Sequence, residues 1–162
     1  MRALVLVQGL LRRRPVFGAS AFGSTQFGGI PATPYHRELL ALARQLQAEK
    51  RPEMAAIAAA TACEIVTDMS IQSHLNRAGV GQLRKPLGKF VQSFNLKNDR
   101  VYGVYFALSN DNVNQQKFWN TYTELVDARN KAVHEGRTID LGKIAELLDA
   151  ADDFVAHLER GL

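Results

Sequence analysis

An alanine-rich apolar stretch over residues 53–77 constrains the fold of this 162-residue chain more than any other feature. Its apolar side chains recur at the three- and four-residue spacing of one helix face; they are Ala55, Ala58, Ala59, Ala62, Ile65, Val66 and Met69. Because small side chains let a neighbouring helix approach closely, we expect this helix to be the most buried one. Pro52 precedes it and Gly79 follows it, as is typical of the two ends of a helix.

Helical periodicity extends over most of the chain. It predicts helices over residues 35–50, 84–95 and 140–158, and a further helix that ends near Gly136. Residues 101–108 are rich in Val, Tyr and Phe, which favour strands, yet their helical surroundings favour a helix. Long helices joined by short connections predict an all-α fold, an up-and-down bundle of four to five helices.

The apolar stripes of these helices indicate which side chains form the core. They comprise Leu39, Leu40, Ala43, Leu46, Leu83, Leu87, Phe90, Val91, Phe94, Phe118, Tyr122, Leu125, Val126, Leu141, Ile144, Leu148, Val155 and Leu158. Trp119 is expected in the core or at a dimer interface rather than as a platform for base stacking. Asn112 and Gln115 have the spacing of a capping box, which predicts the start of a helix there.

Positive charge is concentrated near the N-terminus, although the net charge of the chain is only +4. Residues 1–37 contain five of the 20 basic residues and none of the 16 acidic ones, which leaves 15 basic and 16 acidic residues elsewhere. A run rich in Gly, Ser and Phe over residues 17–34 argues against packed structure there. We therefore predict a flexible basic arm over 1–34 and one bundle domain over 35–162.

Two targeting interpretations compete with this prediction for the arm. Only Arg2 precedes the apolar run over residues 3–7 and three arginines follow it, which is the reverse of the order in a signal peptide. An Arg-rich, acid-free segment also resembles an organellar transit peptide. No stretch reaches the ~18–20 consecutive apolar residues of a membrane-spanning helix, so we expect a cytoplasmic protein without a membrane partner.

Metal and thiol chemistry have little support in the sequence. The only cysteine, Cys63, lies among alanines and is expected to be a small core residue. The four histidines, His36, His74, His134 and His157, lack the spacing of a zinc-binding motif. We therefore expect neither a metal ion nor another cofactor.

An arginine lies on the inward stripe of the helix that ends near Gly136. Arg129 follows Tyr122 on that stripe, and burial of an unpaired guanidinium is costly, so its partner is a carboxylate, a ligand or another chain. Asn130 is next to it and His134 comes five positions later; on a straight helix Arg129 and His134 point roughly 140° apart. They can share a site only if the helix loosens before Gly136 or if two chains contribute.

The sequence RNKAVHEG at residues 129–136 resembles the signature of HEPN domains (higher eukaryotes and prokaryotes nucleotide-binding). In that signature four to six residues, of which the first is often polar, separate an arginine from a histidine. The resemblance covers about residues 36–160. It implies a bundle of four to five helices in which a long helical hairpin comes before the motif and a closing helix comes after it.

The resemblance implies a metal-independent ribonuclease of the toxin or phage-defence type that acts as a homodimer, with the two motifs meeting across the interface. His134 would be the acid or base, Arg129 would bind phosphate and stabilise the transition state, and Asn130 would position them. The products would be a 2′,3′-cyclic phosphate and a 5′-hydroxyl. RNA, an antitoxin and a nucleotidyltransferase are the implied partners, although Glu135 stands where some members carry a tyrosine that is adenylylated.

Structural roles for the same residues stay open at this point. Arg129 can pair with Glu64 or Asp68 of the alanine-rich helix, and His134 can complement the helix dipole with Gly136 as the cap. Glu64 is also a candidate for the carboxylate that orients the catalytic pair, because it lies on the facing helix. The alternative functions are a non-catalytic HEPN-like bundle that binds a nucleotide or a protein, and a purely structural dimer.

Overall fold

Six α-helices and two short 3₁₀ helices form the part of the chain that the structure, a computed structural model, describes: residues 33–91 and 93–162. The α-helices are α1 (Tyr35–Ala48), α2 (Pro52–Arg77), α3 (Arg84–Val91), α4 (Asp99–Ser109), α5 (Trp119–Glu135) and α6 (Leu141–Glu159), and the 3₁₀ helices are Gly81–Leu83 and Val113–Gln115. No strand occurs among these residues, so the all-α prediction is confirmed. The predicted arm over 1–34 lies outside the described residues apart from its last two.

The long helices of the unit Pro34–Leu162 run alternately up and down. His36 at the start of α1 bonds to Glu159 at the end of α6, with 2.6 Å between His36 Nε2 and Glu159 Oε1. Phe118, just before α5, packs against Phe154 near the end of α6, with ring centroids 6.0 Å apart. Helix α6 is therefore antiparallel to both α1 and α5, as in an up-and-down bundle.

Helix α2 lies at the centre of the bundle, as its alanine content predicts. Thirteen of its 26 residues are buried, and it packs against α1, α5 and α6. Ala55 and Ala59 have no exposed surface, and Cys63 is buried, as expected. Met69, which was expected to face inward, is instead 40% exposed, because Ile71 takes the inward position at this level of α2.

Helix α2 is also long and apolar enough to cross a membrane by length and composition alone. However, 61% of its most apolar 18-residue window is buried inside the bundle. A buried core helix passes the same test of length and composition. The apolar character of α2 is therefore accounted for by the packing of its neighbours.

The segment between α2 and α5 differs from the predicted pattern. Helix α4 confirms the helix expected over 101–108. Helix α3, in contrast, ends at Val91 instead of near residue 95, and two side chains predicted to face inward are exposed: Leu83 is 48% and Phe90 is 59% exposed. Leu83 lies in the preceding 3₁₀ turn, whose three-residue period moves it out of phase with α3, and Val91 fills the buried position.

Aromatic side chains join α5 to α6 and α4. Tyr122 stacks on Phe154 with ring centroids 4.1 Å apart, and both side chains are fully buried. Trp119 packs against Tyr102 and Tyr122 at the edge of the core, as expected.

The predicted capping box is wrong: Asn112 precedes a 3₁₀ turn, its side chain makes no capping bond, and α5 begins only at Trp119.

Helix α6 begins at an aspartate cap. The Asp140 side chain accepts hydrogen bonds from the backbone N–H groups of Gly142 and Lys143 at 2.7 and 3.2 Å, which satisfies donors that the first turn cannot use internally. Leu141, which was expected to face inward, is 50% exposed. As the first residue of α6 it comes before the point at which the inward stripe begins at Ile144.

Candidate functional site

The inward stripe of α5 leads from the bundle core to the predicted site. Tyr122, Leu125 and Val126 on this stripe are buried. Arg129 continues the stripe one turn further along α5 and is half-buried. The helix therefore places a guanidinium where the core meets the surface, as the spacing of the stripe predicts.

Arg129 is held by its neighbour Asn130 and not by a carboxylate. Arg129 Nη1 donates a hydrogen bond to Asn130 Oδ1 at 2.9 Å. The Nε atom of Arg129 is buried and has no hydrogen-bond partner among the described residues. Within residues 33–91 and 93–162, no carboxylate oxygen comes within the 4.0 Å of an ion pair with this guanidinium. The structural interpretation of Arg129 as a buried ion-pair staple is therefore not supported.

The two carboxylates considered as partners of Arg129 have different environments. Asp68 forms an ion pair with Arg84. Glu64 is half-buried on α2, and burial raises the pKa of its carboxyl, while the positive charge of Arg129 acts in the opposite direction. Glu64 is thus near enough to Arg129 for their charges to interact but does not pair with it.

His134 lies on a different side of α5 from Arg129. It is exposed, and its imidazole makes no hydrogen bond with any described residue. Helix α5 continues unbroken through Glu135 and ends at Gly136, whose φ of 64° is the left-handed conformation of a helix C-cap. Because the helix does not loosen before Gly136, Arg129 and His134 of one chain point roughly 140° apart.

The arrangement around Arg129 is suited to binding an anion. With Nε buried and one Nη1 hydrogen bonded to Asn130, the other Nη1 hydrogen and the two of Nη2 are the donors left for a phosphate or carboxylate ligand. Asn130 uses its carbonyl oxygen to accept from Arg129, so its NH₂ group still has two donors for the same ligand. The structure thus brings Arg129 and Asn130 together, places Glu64 beside them, and leaves His134 apart.

A cavity of about 400 Å³ lies on another face of the same helix end, between α5 and α6. Its lining includes Asp127 and Lys131 of α5, Arg137 of the loop, and Lys143 of α6. Lys143 pairs with Glu124 and Glu146, and Arg137 with Glu135, whereas Lys131 forms no ion pair among the described residues. No sequence motif predicts this cavity, because its lining residues come from α5, α6 and the loop between them.

A second polar cluster, which the sequence did not predict, lies between α4, the α4–α5 connection and α6. The Tyr105 hydroxyl donates to the Asp111 carboxylate at 2.6 Å, and His157 Nε2 lies 2.7 Å from the same carboxylate oxygen. Arg160 Nη2 lies 2.6 Å from His157 Nδ1. Since an arginine only donates, His157 Nδ1 accepts and Nε2 carries the proton that is donated to Asp111. These bonds tie the α4–α5 connection to α6, which is a structural role.

The described histidines lie in different environments. His36 is buried and bonds to Glu159, His157 bonds to Asp111, and burial lowers the pKa of His74. In the part of the chain that the structure describes, no three His, Cys, Asp or Glu side chains are grouped as they would be around a metal ion.

No protein-family model matches the chain, and no curated protein and no solved structure gives a significant match.

Proposed function

We propose that this protein is a metal-independent ribonuclease of the toxin or phage-defence type, which cuts RNA by attack of a 2′-hydroxyl on the adjacent phosphate. The observation that carries the proposal is the half-buried guanidinium of Arg129, which bonds to Asn130 and has no carboxylate partner among the described residues. Such a guanidinium is costly to maintain unless an anion binds it. A phosphodiester is the anion that the resemblance of residues 129–136 to the HEPN signature favours.

The chemistry requires one group that accepts a proton and one group that binds charge. A histidine changes its protonation state in the physiological pH range, so His134 can accept the proton of the 2′-hydroxyl or give one to the departing 5′-oxygen. Arg129 and the amide of Asn130 would bind the phosphate oxygens, where negative charge grows in the transition state. The reaction forms the 2′-oxygen–phosphorus bond and breaks the 5′-oxygen–phosphorus bond, which leaves a 2′,3′-cyclic phosphate and a 5′-hydroxyl.

A homodimer is part of the proposal because one chain does not present both groups to one point. The unbroken helix from Arg129 to Glu135 directs Arg129 and His134 roughly 140° apart. Two chains related by a two-fold axis can bring Arg129 of one protomer to His134 of its partner and so form two equivalent sites. The exposure of His134 leaves it accessible to a second chain.

The test is cleavage of total RNA by the purified full-length chain in the presence of EDTA, with Arg129→Ala and His134→Ala variants. We expect the wild type to cut and each variant to lose about 10²-fold or more in rate. Lys117→Ala is the control, because it removes an exposed positive charge just before α5, at the opposite end of that helix from the motif. RNA with a 2′-O-methyl group at every nucleotide should resist cleavage, since it has no attacking hydroxyl.

The outcomes separate this proposal from its competitors. Equal cleavage by wild type and both variants would assign the activity to a contaminant and remove Arg129 and His134 from the mechanism. Cleavage of fully 2′-O-methylated RNA would contradict attack by a 2′-hydroxyl. Absence of cleavage in all preparations, with folded dimers present, would favour a non-catalytic role.

That non-catalytic role is nucleotide binding, and the cavity between α5 and α6 favours it. A volume of about 400 Å³ falls in the range of small-molecule sites, and Lys131 supplies a cation without an ion-pair partner among the described residues. Calorimetric titration with ATP or GTP tests it. Saturable binding that Lys131→Ala weakens would support this function, and equal binding by wild type and variant would contradict it.

A further inference from the structure

Positive charge within the bundle is concentrated on one short stretch. Residues 77–100 hold six basic residues and one acidic residue, whereas the rest of residues 35–162 holds 10 basic and 15 acidic residues. Three of the six bind within the bundle: Arg77 to the Leu162 carbonyl, Arg84 to Asp68 and Lys97 to Asp127. The other three, Lys85, Lys89 and Arg100, form no ion pair with any described residue.

One of these three cations lies over an exposed aromatic ring, and the other two lie on the same helix as that ring. Phe90 is 59% exposed, more than any other large apolar side chain in the described part of the chain. The Arg100 guanidinium carbon lies 5.4 Å from the centroid of the Phe90 ring, and Lys85 and Lys89 are exposed on the same helix, α3. Lys85 and Lys89 lie on one side of α3, and Phe90 lies roughly 100–140° around the helix from them, so a strand that contacts all three crosses α3. We call Lys85, Lys89, Phe90 and Arg100 together the basic face. Its composition fits a ligand that offers both negative charge and flat rings.

The basic face is connected to the helix that carries the proposed site. The Tyr122 hydroxyl of α5 donates to Asn95 Oδ1 at 3.0 Å and accepts from the Leu96 backbone N–H at 3.2 Å. Lys97 then pairs with Asp127, which is two residues before Arg129 on α5. The chain that follows α3 is thus fixed against α5 at Tyr122 and Asp127, on the helix that carries Arg129.

We infer that the basic face binds single-stranded RNA, with Lys85 and Lys89 on the phosphates and one base stacked on Phe90 beside Arg100. The inference rests on the proposed function and names the surface over which the substrate reaches Arg129. Stacking of bases on aromatic side chains and cations along the backbone are the two elements of single-strand binding. A duplex fits less well, because its bases are already stacked and their faces are not accessible.

An anionic membrane offers negative charge too, but α3 is poorly suited to it. Membrane-surface helices bury a wide apolar face in the lipid. In α3, Val91 is buried and Leu87 is packed against the core, so Phe90 is the only large apolar side chain that this helix exposes. One face of the Phe90 ring also carries the Arg100 guanidinium, a charged group that would have to enter the lipid with the ring.

The test measures binding without cleavage. A fluorescent 2′-O-methyl oligoribonucleotide of about 12 nucleotides is titrated with the full-length protein at several salt concentrations. We expect Lys85→Ala/Lys89→Ala to weaken binding and to reduce the slope of log K against log salt by about 1.4. Phe90→Ala should weaken binding by about 5- to 150-fold with an unchanged slope, and Phe90→Trp should restore it.

The control variant is Arg51→Ala/Lys117→Ala, which removes two exposed positive charges elsewhere on the bundle. It should bind the oligonucleotide as the wild type does. Because every variant keeps the arginines of residues 1–37, any binding by that segment is common to all of them. Circular dichroism of each variant checks that it is folded, as we expect for exposed side chains.

The inference is overturned if the wild type does not bind the oligonucleotide, or if the variants of the basic face bind it as the wild type does. It is also overturned if an RNA duplex binds equally well, or if the substitutions abolish binding only to vesicles of phosphatidylserine and phosphatidylcholine. Oligonucleotide binding that depends on Phe90, in a protein that cuts no RNA, would retain the basic face and reject the proposed cleavage. The two proposals therefore fail separately.

Discussion

Arg129 and His134 lie on the same unbroken helix, five residues apart, and point in directions that differ by roughly 140°. Gly136 ends the helix only after His134, with a φ of 64°. The pair is therefore separated by regular helix geometry and not by an irregularity that a ligand could remove. The proposed reaction therefore takes the two side chains from two copies of the chain.

Complementation between two inactive variants tests this relationship. If each site takes Arg129 from one protomer and His134 from its partner, co-expression of Arg129→Ala with His134→Ala should restore about one quarter of the wild-type cleavage, since about half of the dimers are mixed and each has one intact site. The measurement is the cleavage rate of the co-expressed protein, purified without selection for the mixed dimers. If both groups came from one chain, the mixture would remain inactive.

Replacement of Glu64 by glutamine tests the electrostatics beside Arg129. Burial raises the pKa of Glu64 in the folded state, so the group contributes stability below the pKa of the unfolded chain, and this is lost as the pH rises through the folded-state pKa. We therefore expect Glu64→Gln to increase the free energy of unfolding at pH 7 and to change it less near pH ~4. Urea denaturation at the two pH values measures the difference. Equal effects at both would contradict it.

The Tyr122 hydroxyl links α5 to the chain after α3, and its removal should destabilise the bundle. Tyr122→Phe leaves the buried N–H of Leu96 and the oxygen of Asn95 without this partner, which costs about 1–3 kcal/mol of unfolding free energy. Tyr102→Phe is the matched control, since the Tyr102 hydroxyl makes no hydrogen bond with the described residues. A similar loss in both variants would assign the effect to something other than these hydrogen bonds.

The same buried groups predict how stability depends on alkaline pH. Burial raises the pKa of Tyr122, of Tyr105 and of the Cys63 thiol. Each group therefore contributes stability while it is protonated in the unfolded chain, and this is lost as the pH rises toward its folded-state pKa. We expect the free energy of unfolding to fall above pH ~8.5, where Cys63 ionises in the unfolded chain, and further above pH ~10, where the tyrosines do; the second fall should be less steep for Tyr122→Phe. A wild-type stability that is constant between pH ~9 and ~11 would contradict this.

Two glycine-to-alanine changes should have opposite signs. Gly136 has a left-handed φ of 64°, which strains an L-residue, so Gly136→Ala should destabilise by about 1–2 kcal/mol. Gly103 lies inside α4 with open space where a Cβ would be, so Gly103→Ala should stabilise by up to about 1 kcal/mol. Thermal unfolding of both variants measures the difference. A destabilising Gly103→Ala would show that α4 depends on that glycine.

Periodicity predicted most of the helices but located the ends of the short ones poorly. Helix α2 was expected over 53–77 and spans Pro52–Arg77, because its long apolar face and flanking breakers agree. Helix α3 ends at Val91 instead of near residue 95. Eight residues contain too few turns to fix which side chains are buried, and Phe90, expected in the core, is the most exposed large apolar side chain described.

The sequence by itself determined that this chain forms an all-α bundle around an alanine-rich helix and that Arg129 extends an inward stripe, because both follow from helix periodicity. Only the tertiary structure decided what surrounds that arginine. It pairs Asp68 with Arg84, leaves Glu64 close but unpaired with Arg129, and gives the guanidinium Asn130 as its partner. These pairings depend on distances between side chains of separate helices, and the spacing of residues within one helix does not determine such distances.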